Sequence, residues 1–148
     1  MRLRLIEPQN AAWPAFQALL RGAGLPTSDL TEGGARYYAL GENEQDALAF
    51  GGIVPLGDDA LVRSVVVPPA GRGRGLGARL VEQLSQLATT WGVRTLWLLT
   101  TDAEGFFASQ GFETADRAQV PPRVAATPQF QGLCPASAVL MRRALDPQ

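Results

Sequence analysis

The chain has no lysine and no histidine; all 13 of its basic residues are arginine. Lysine Schiff-base chemistry is thereby excluded, as are Ser-His-Asp and Cys-His nucleophile systems and histidine-based zinc sites. Cysteine is nearly absent. Cys134 stands alone, so neither an intrachain disulfide nor a thiolate metal cluster can form. Neither sign of charge dominates: 13 basic residues face 14 acidic ones, and a net charge of −1 points to no nucleic-acid partner. Long apolar runs are missing too. Met1-Arg2-Leu3-Arg4-Leu5-Ile6-Glu7 lacks the apolar core of a signal peptide, and no stretch is long enough to span a bilayer. The expectation is a cytoplasmic enzyme or binding domain without metal or membrane partner. A length of 148 residues is most simply one domain, 1–148, with a frayed tail at 146–148.

Glycine, by contrast, is plentiful, and four of its 16 copies alternate through Gly71, Gly73, Gly75 and Gly77. Ahead of them Val65, Val66 and Val67 are β-branched and suit a strand, which Pro68 and Pro69 must end because they donate no ladder hydrogen bond. Behind them Leu76, Leu80, Leu84, Leu87 and Trp91 recur at helical spacing, and Gly92 is the expected C′ residue. A glycine-rich turn opening a helix presents unpaired N–H groups and the positive end of the helix dipole. That is an anion site, suited to a phosphate or pyrophosphate. An NTPase loop is excluded because it ends in Gly-Lys-Ser/Thr. The dinucleotide spacing G-x-G-x-x-G fails too, since the third position is Ala78 and no acid closes a strand near residue 98.

In chain order, 2–7 alternates as a half-buried strand, and a helix capped by Asn10 or Ala12 carries Trp13, Phe16, Leu19 and Leu20 on one face. Residues 35–40, 47–55 and 60–67 read as strands joined by polar turns, and 94–99 as a central strand buried on both faces. A short helix over 103–110 bears Phe106 and Phe107; strands follow at 112–116 and 137–143, with a break at Val120-Pro121-Pro122 and an irregular turn at 128–133.

The spacing that fits the glycine turn is R-x-x-G-x-G, met by Arg72, Gly75 and Gly77. It resembles the acyl-CoA pyrophosphate loop of the GNAT acyltransferase superfamily. That superfamily's second pattern, N-x-x-A-x-x-F-Y-x-x-x-G-F, is matched by Ala103, Phe106, Gly111 and Phe112, while Thr100 and Phe107 replace its asparagine and tyrosine. The resemblance covers roughly residues 35–116. Three flanking strings, Leu25-Pro26-Thr27-Ser28-Asp29-Leu30, Leu61-Val62-Arg63-Ser64-Val65-Val66-Val67 and the run Thr127-Pro128-Gln129-Phe130 onward to Met141, are similar to the arsenic-resistance N-acetyltransferase branch.

The resemblance implies an α/β fold: a single GNAT-like domain, a mixed, mostly antiparallel sheet of about six to seven strands with a splayed fourth strand, and about four flanking helices. It implies acetyl-CoA as co-substrate, held by Val65, Val66, Val67, Arg72, Gly73, Arg74, Gly75, Leu76, Gly77 and Phe106. The amine of a small, anionic, amino-acid-like acceptor, an organoarsenical amino acid among the candidates, would attack the thioester directly. The substrate side would use Arg63, Ser64 and Thr101, and a homodimer is left open. Phe107 removes the usual tyrosine acid, and a thiolate of pKa about 8.5 leaves without much help. Ser64, Thr100, Thr101 and Glu104 could each place a water that takes the amine proton, or be ordinary strand and cap residues, so the catalytic residues stay unassigned. By strand alternation Arg63 faces the same way as Val65 and Val67. An arginine on an apolar face needs an anionic partner, either a structural Asp or Glu or a substrate anion. Cys134 alone makes a poor site for trivalent arsenic, which needs several soft ligands, so a small buried residue in the turn is the expectation for it. The competing reading is a degenerate acyl-CoA-binding sensor, supported by Phe107 and Thr100.

Overall fold

The computed structural model describes residues 2–31, 33–41, 47–133 and 137–145. Cys134, the turn at 42–46 and the tail at 146–148 lie outside the described residues.

Seven strands form one sheet in the order β1-β2-β3-β4-β5-β7-β6. They are β1 Leu3–Ile6, β2 Arg36–Leu40, β3 Ala49–Leu56, β4 Asp59–Val66, β5 Thr95–Thr100, β6 Glu113–Thr114 and β7 Val139–Ala144. Every neighbouring pair is antiparallel except β4 and β5. A parallel neighbour needs a crossover, and α2 (Leu76–Thr90) supplies it. The other α-helices among the described residues are α1 Trp13–Gly22, α3 Glu104–Ser109 and α4 Pro122–Ala125. The last follows the expected break at Pro121. Pro122 occupies a first-turn position, where its missing N–H costs nothing, so the break also starts a helix.

The two faces of the sheet bury separate apolar sets. On one, Leu76, Leu80, Val81, Leu84 and Ala88 of α2 pack on Leu40, Ile53, Ala60, Val62, Leu96 and Leu98 together with Phe107 and Phe112. On the other, Trp13, Phe16 and Leu20 of α1 pack on Tyr37, Ala39, Phe50 and Val66, while Val124 of α4 meets Val54, Leu61 and Trp97. The periodicity that marks α2 in the sequence is the stripe that is buried. Gly92, with φ of 82°, sits just past the helix in the left-handed region that favours glycine.

Two irregularities in β4 matter for function. Its ladder with β5 runs only from Asp59↔Thr95 to Leu61↔Trp97, so the strands part beyond Leu61, the expected splay. Its ladder with β3 slips: Phe50 pairs with Val66 but Gly52 with Arg63, one residue more on β4 than on β3. This is a β-bulge, and Ser64 in it has φ of 59°. The extra residue reverses the alternation. Ala60 and Val62 face α2, Leu61 and Arg63 face the α1 and α4 side, and after the bulge Val65 and Val67 face α2 again. Arg63 therefore does not share a face with Val65 and Val67, as strict alternation over 61–67 predicts.

Candidate active site

The glycine turn is built as a helix start without a cap. After Pro68 a single 3-10 turn, Pro69–Gly71, leads out of β4, and α2 begins behind Gly75. Gly73 and Gly75 have φ of 78° and 73°, and a Cβ at either would meet no atom within 4 Å. Their glycines thus serve the left-handed backbone and leave an open face rather than relieving a packing clash. The Arg79 N–H bonds the Gly75 carbonyl at 3.1 Å, and no side chain caps the helix. The N–H groups of Leu76, Gly77 and Ala78 are then left without intrahelical acceptors at the positive end of the helix dipole. Arg72 and Arg74 are exposed beside them, and Arg72 Nε donates to the Val67 carbonyl at 3.2 Å. Gly77 has another reason to be glycine: its Cβ would lie 3.2 Å from the Phe106 ring, so the two sequence patterns pack on each other.

Where β4 and β5 part they leave a cleft of about 420 Å³, lined by Val62 to Val67, Arg72, Leu98 to Ala103 and Phe107, with Leu25 and Pro26 of the α1–β2 connection across from them. The expected site residues Arg63, Ser64, Val65, Val66, Val67, Arg72 and Thr101 thus share one cleft. Gly73, Arg74, Gly75, Leu76, Gly77 and Phe106 do not line it; they form the turn and helix start behind Arg72. Phe107 is buried and stacks edge-on between Phe106 and Phe112, with centroids 5.0 and 5.7 Å away. Thr100 is buried and its Oγ1 accepts the Ala103 N–H at 3.0 Å, which fixes the chain entering α3. Glu104 is not in the cleft wall; Asp102, unremarked in the sequence, is.

Arg63 is buried and its charge is matched. Its two terminal nitrogens donate to the two carboxylate oxygens of Asp29 at 2.7 and 2.8 Å, and its Nε donates to Ser64 Oγ at 3.1 Å. Gln129 donates its Nε2 to the same carboxylate, and the Tyr37 ring lies 5.8 Å from the guanidinium. Of the two partners open from the sequence, the one on Arg63 here is a protein carboxylate. Burial pushes the Tyr37 hydroxyl up to about 12, against an opposing pull from Arg63. Asp29 and Gln129 had no assigned role in the sequence, although both stand in the flanking strings that carry the branch resemblance.

A family model for the acetyltransferase (GNAT) domain matches residues 33–114. The chain belongs to the GNAT acetyltransferase family. It is an acyl-CoA N-acyltransferase by that membership, and solved structures agree in fold. N-acetylglutamate synthase from Neisseria gonorrhoeae, complexed with coenzyme A and N-acetyl-glutamate, is 18% identical with a TM-score of 0.75, over 99% of this chain and 36% of that one. This GNAT chain thus spans about a third of the length of that synthase. Rv2747 from Mycobacterium tuberculosis, in complex with CoA, is 20% identical with a TM-score of 0.77, over 99% of this chain and 100% of that one. Tetrahymena GCN5 is 15% identical with a TM-score of 0.78, over 100% and 98%. No helix among the described residues of this GNAT domain is long and apolar enough to cross a membrane.

Proposed function

We propose that this chain transfers the acetyl group of acetyl-CoA to the amine of a small acceptor by direct attack. The observation that carries the reading is the uncapped, glycine-opened start of α2 at the mouth of the cleft where β4 leaves β5. The donor set fits a pyrophosphate: free N–H groups at Leu76, Gly77 and Ala78, an open face over Gly73 and Gly75, and the guanidinium groups of Arg72 and Arg74. Val65 to Val67 would flank the pantetheine in the cleft, and the Phe106 ring over Gly77 would shelter its far end.

When bound, acetyl-CoA supplies the thioester: the amine nitrogen forms a bond to the carbonyl carbon, the carbon–sulfur bond breaks, and the amine proton leaves. Phe107 has no proton to give, so the thiol leaves as a thiolate of pKa about 8.5 and is protonated by water. Ser64 Oγ accepts from Arg63 Nε, which leaves its own hydroxyl hydrogen free to donate toward the cleft. Thr101 and Asp102, exposed in the cleft wall, are the groups that can hold the water taking the amine proton. The amino-acid-like acceptor, with an organoarsenical amino acid among the candidates, is supported by the flanking strings and not by Arg63, whose fork Asp29 fills.

The test is calorimetric titration with acetyl-CoA, followed by release of free thiol with a panel of amino acids and amine-bearing arsenicals. Gly75→Glu puts a carboxylate where the pyrophosphate would sit. Its Cβ would meet no atom within 4 Å, and the left-handed backbone at φ of 73° adds a local strain that circular dichroism and a thermal melt read separately from binding. Acetyl-CoA affinity should collapse while circular dichroism stays native. Unchanged affinity would sink the loop assignment, and binding without thiol release from any amine would favour a sensor.

A further inference from the structure

Arg63 also borders a second cavity, of about 220 Å³, whose wall includes Asp29, Arg123, Thr127 and Gln129. A narrower space of about 40 Å³ shares Arg63 and Gln129 with that cavity, and Ser64 and Leu99 with the acyl-transfer cleft. Gln129 is only 5% exposed. Its Nε2 donates to Asp29, and a carboxylate only accepts, so chemistry sets which way the amide faces. Gln129 Oε1 is then turned away from Asp29, and among the described residues it is buried without a hydrogen-bond donor. A buried acceptor left unpaired is unfavourable, so this oxygen calls for an N–H or O–H from outside the chain.

The charge in the cavity has a sign. Asp29 is neutralised by Arg63, and the Thr127 hydroxyl is spent on the Val124 carbonyl at 2.7 Å. Arg123 is exposed and has no carboxylate partner among the described residues; it reaches over Gly57, where a Cβ would lie 2.3 Å from Nη1. Among the described residues the cavity therefore offers one cation without a carboxylate partner and one buried acceptor.

We propose that this cavity is a subsite for the acceptor, with its anionic group on Arg123 and an N–H or O–H of the same molecule on Gln129 Oε1. The class is a small amino acid or another anion that carries a hydrogen-bond donor. Calling that molecule the acceptor rests on the acyl-transfer reading; the subsite itself does not.

The experiment is calorimetric titration of the protein, alone and saturated with CoA, with the common L-amino acids and the carboxamide of each. At least one acid should bind more tightly than its amide. Arg123→Met, at an exposed position, should weaken that acid roughly 10- to 150-fold and leave the amide unchanged. Gln129→Met should weaken both, while Asp29 keeps its two bonds from Arg63. The proposal is overturned if no acid outbinds its amide, or if Arg123→Met leaves the affinity unchanged. An ordered water alone on Gln129 would appear as an absence of bound acid, and that too would overturn it. Acid binding as described in a protein that fails to bind acetyl-CoA would keep the subsite and remove the acyl-transfer reading. Thiol release indifferent to Arg123 would do the reverse.

Discussion

The ion pair at the centre of the molecule gives the sharpest stability prediction. Asp29 and Arg63 are 4% and 8% exposed, and two charge-assisted bonds of 2.7 and 2.8 Å join them fork to carboxylate. Among the described residues, Asp29→Ala leaves the guanidinium with Ser64 Oγ as its one hydrogen-bond partner beside the Tyr37 ring, and strands the Gln129 amide N–H group as well. Breaking a buried pair by removing one member costs about 3–5 kcal/mol, because the survivor stays charged and buried. Set against a typical total of about 5–15 kcal/mol, that is a large share of the stability. For a chain of this size it corresponds to a melting point lower by roughly 6–20 °C. Removing both charges behaves differently: Asp29→Leu combined with Arg63→Met should recover most of the loss, since apolar replacement of a buried pair is often neutral. Urea unfolding of the single and double variants gives the cycle, and Michaelis constants for acetyl-CoA and the acceptor are measured beside it. A loss under about 1 kcal/mol for Asp29→Ala would refute the reasoning. So would Arg63→Lys raising only the acceptor KM at an unchanged melting point, which would make Arg63 a substrate ligand.

Two further outcomes follow from buried aromatic rings. Phe107→Tyr places a hydroxyl on a ring that lines the cleft, and if the thiolate leaves unaided the turnover rate should change little; a gain on the order of 10²-fold would show an enzyme deprived of its acid. Tyr37 has a hydroxyl that burial holds protonated to about 12, against 10.0 when exposed. The folded state then holds a proton that the unfolded state releases above pH 10, so this stabilisation is complete below pH 10 and declines toward pH 12. The slope is at most about 1.4 kcal/mol per pH unit. Tyr37→Phe should flatten that limb and, because the hydroxyl has no hydrogen-bond partner among the described residues, raise stability at neutral pH by about 1 kcal/mol. Urea midpoints between pH 8 and pH 12 check both parts.

Much of this fold is local, and local features are legible. The α2 stripe at four- and three-residue spacing, the proline stop after β4 and the positive-φ glycines at 73, 75 and 92 each follow from the residue in place. Helix α4 was not legible, because Pro122 reads as a breaker unless the chain behind it is known to turn. The anion turn was legible for a related reason: a helix start exposes the same N–H groups in any fold. The cleft needed more, since the parting of β4 and β5 depends on where a parallel ladder stops, and nothing in 62–67 or 98–101 states that end. Asp102 in place of Glu104 follows from the chain direction between β5 and α3, which Thr100 fixes by accepting the Ala103 N–H.

The bulge at Ser64 accounts for the largest departure, and the sequence did hold a sign of it. Two glycines in succession, Gly51 and Gly52, lie in β3 across from the slip, and glycine inside a strand marks a bulge or a close approach. Both uses hold here. A Cβ on Gly52 would lie 2.7 Å from the Tyr37 ring, and one on Gly51 would lie 2.9 Å from Leu80. With regular pairing, the guanidinium at 63 would point into the apolar face where Leu80 and Leu84 pack, at a desolvation cost that no partner there offsets. One additional residue sends it to the opposite face, where Asp29 waits 34 positions earlier in the chain and Gln129 66 positions later. Val65 and Val67, past the bulge, lie on the α2 side, beside the glycine turn. The three strings that flank the acyl-CoA motifs, opaque when read one at a time, thus meet in one hydrogen-bonded cluster. Each string contributes one polar member, Asp29, Arg63 and Gln129, to a buried cluster shared between distant segments. Position 63 can then be read as the hinge between the two cavities. One side of the arginine borders the space where the acyl group would be transferred, and the other borders the space that Arg123 and Gln129 line.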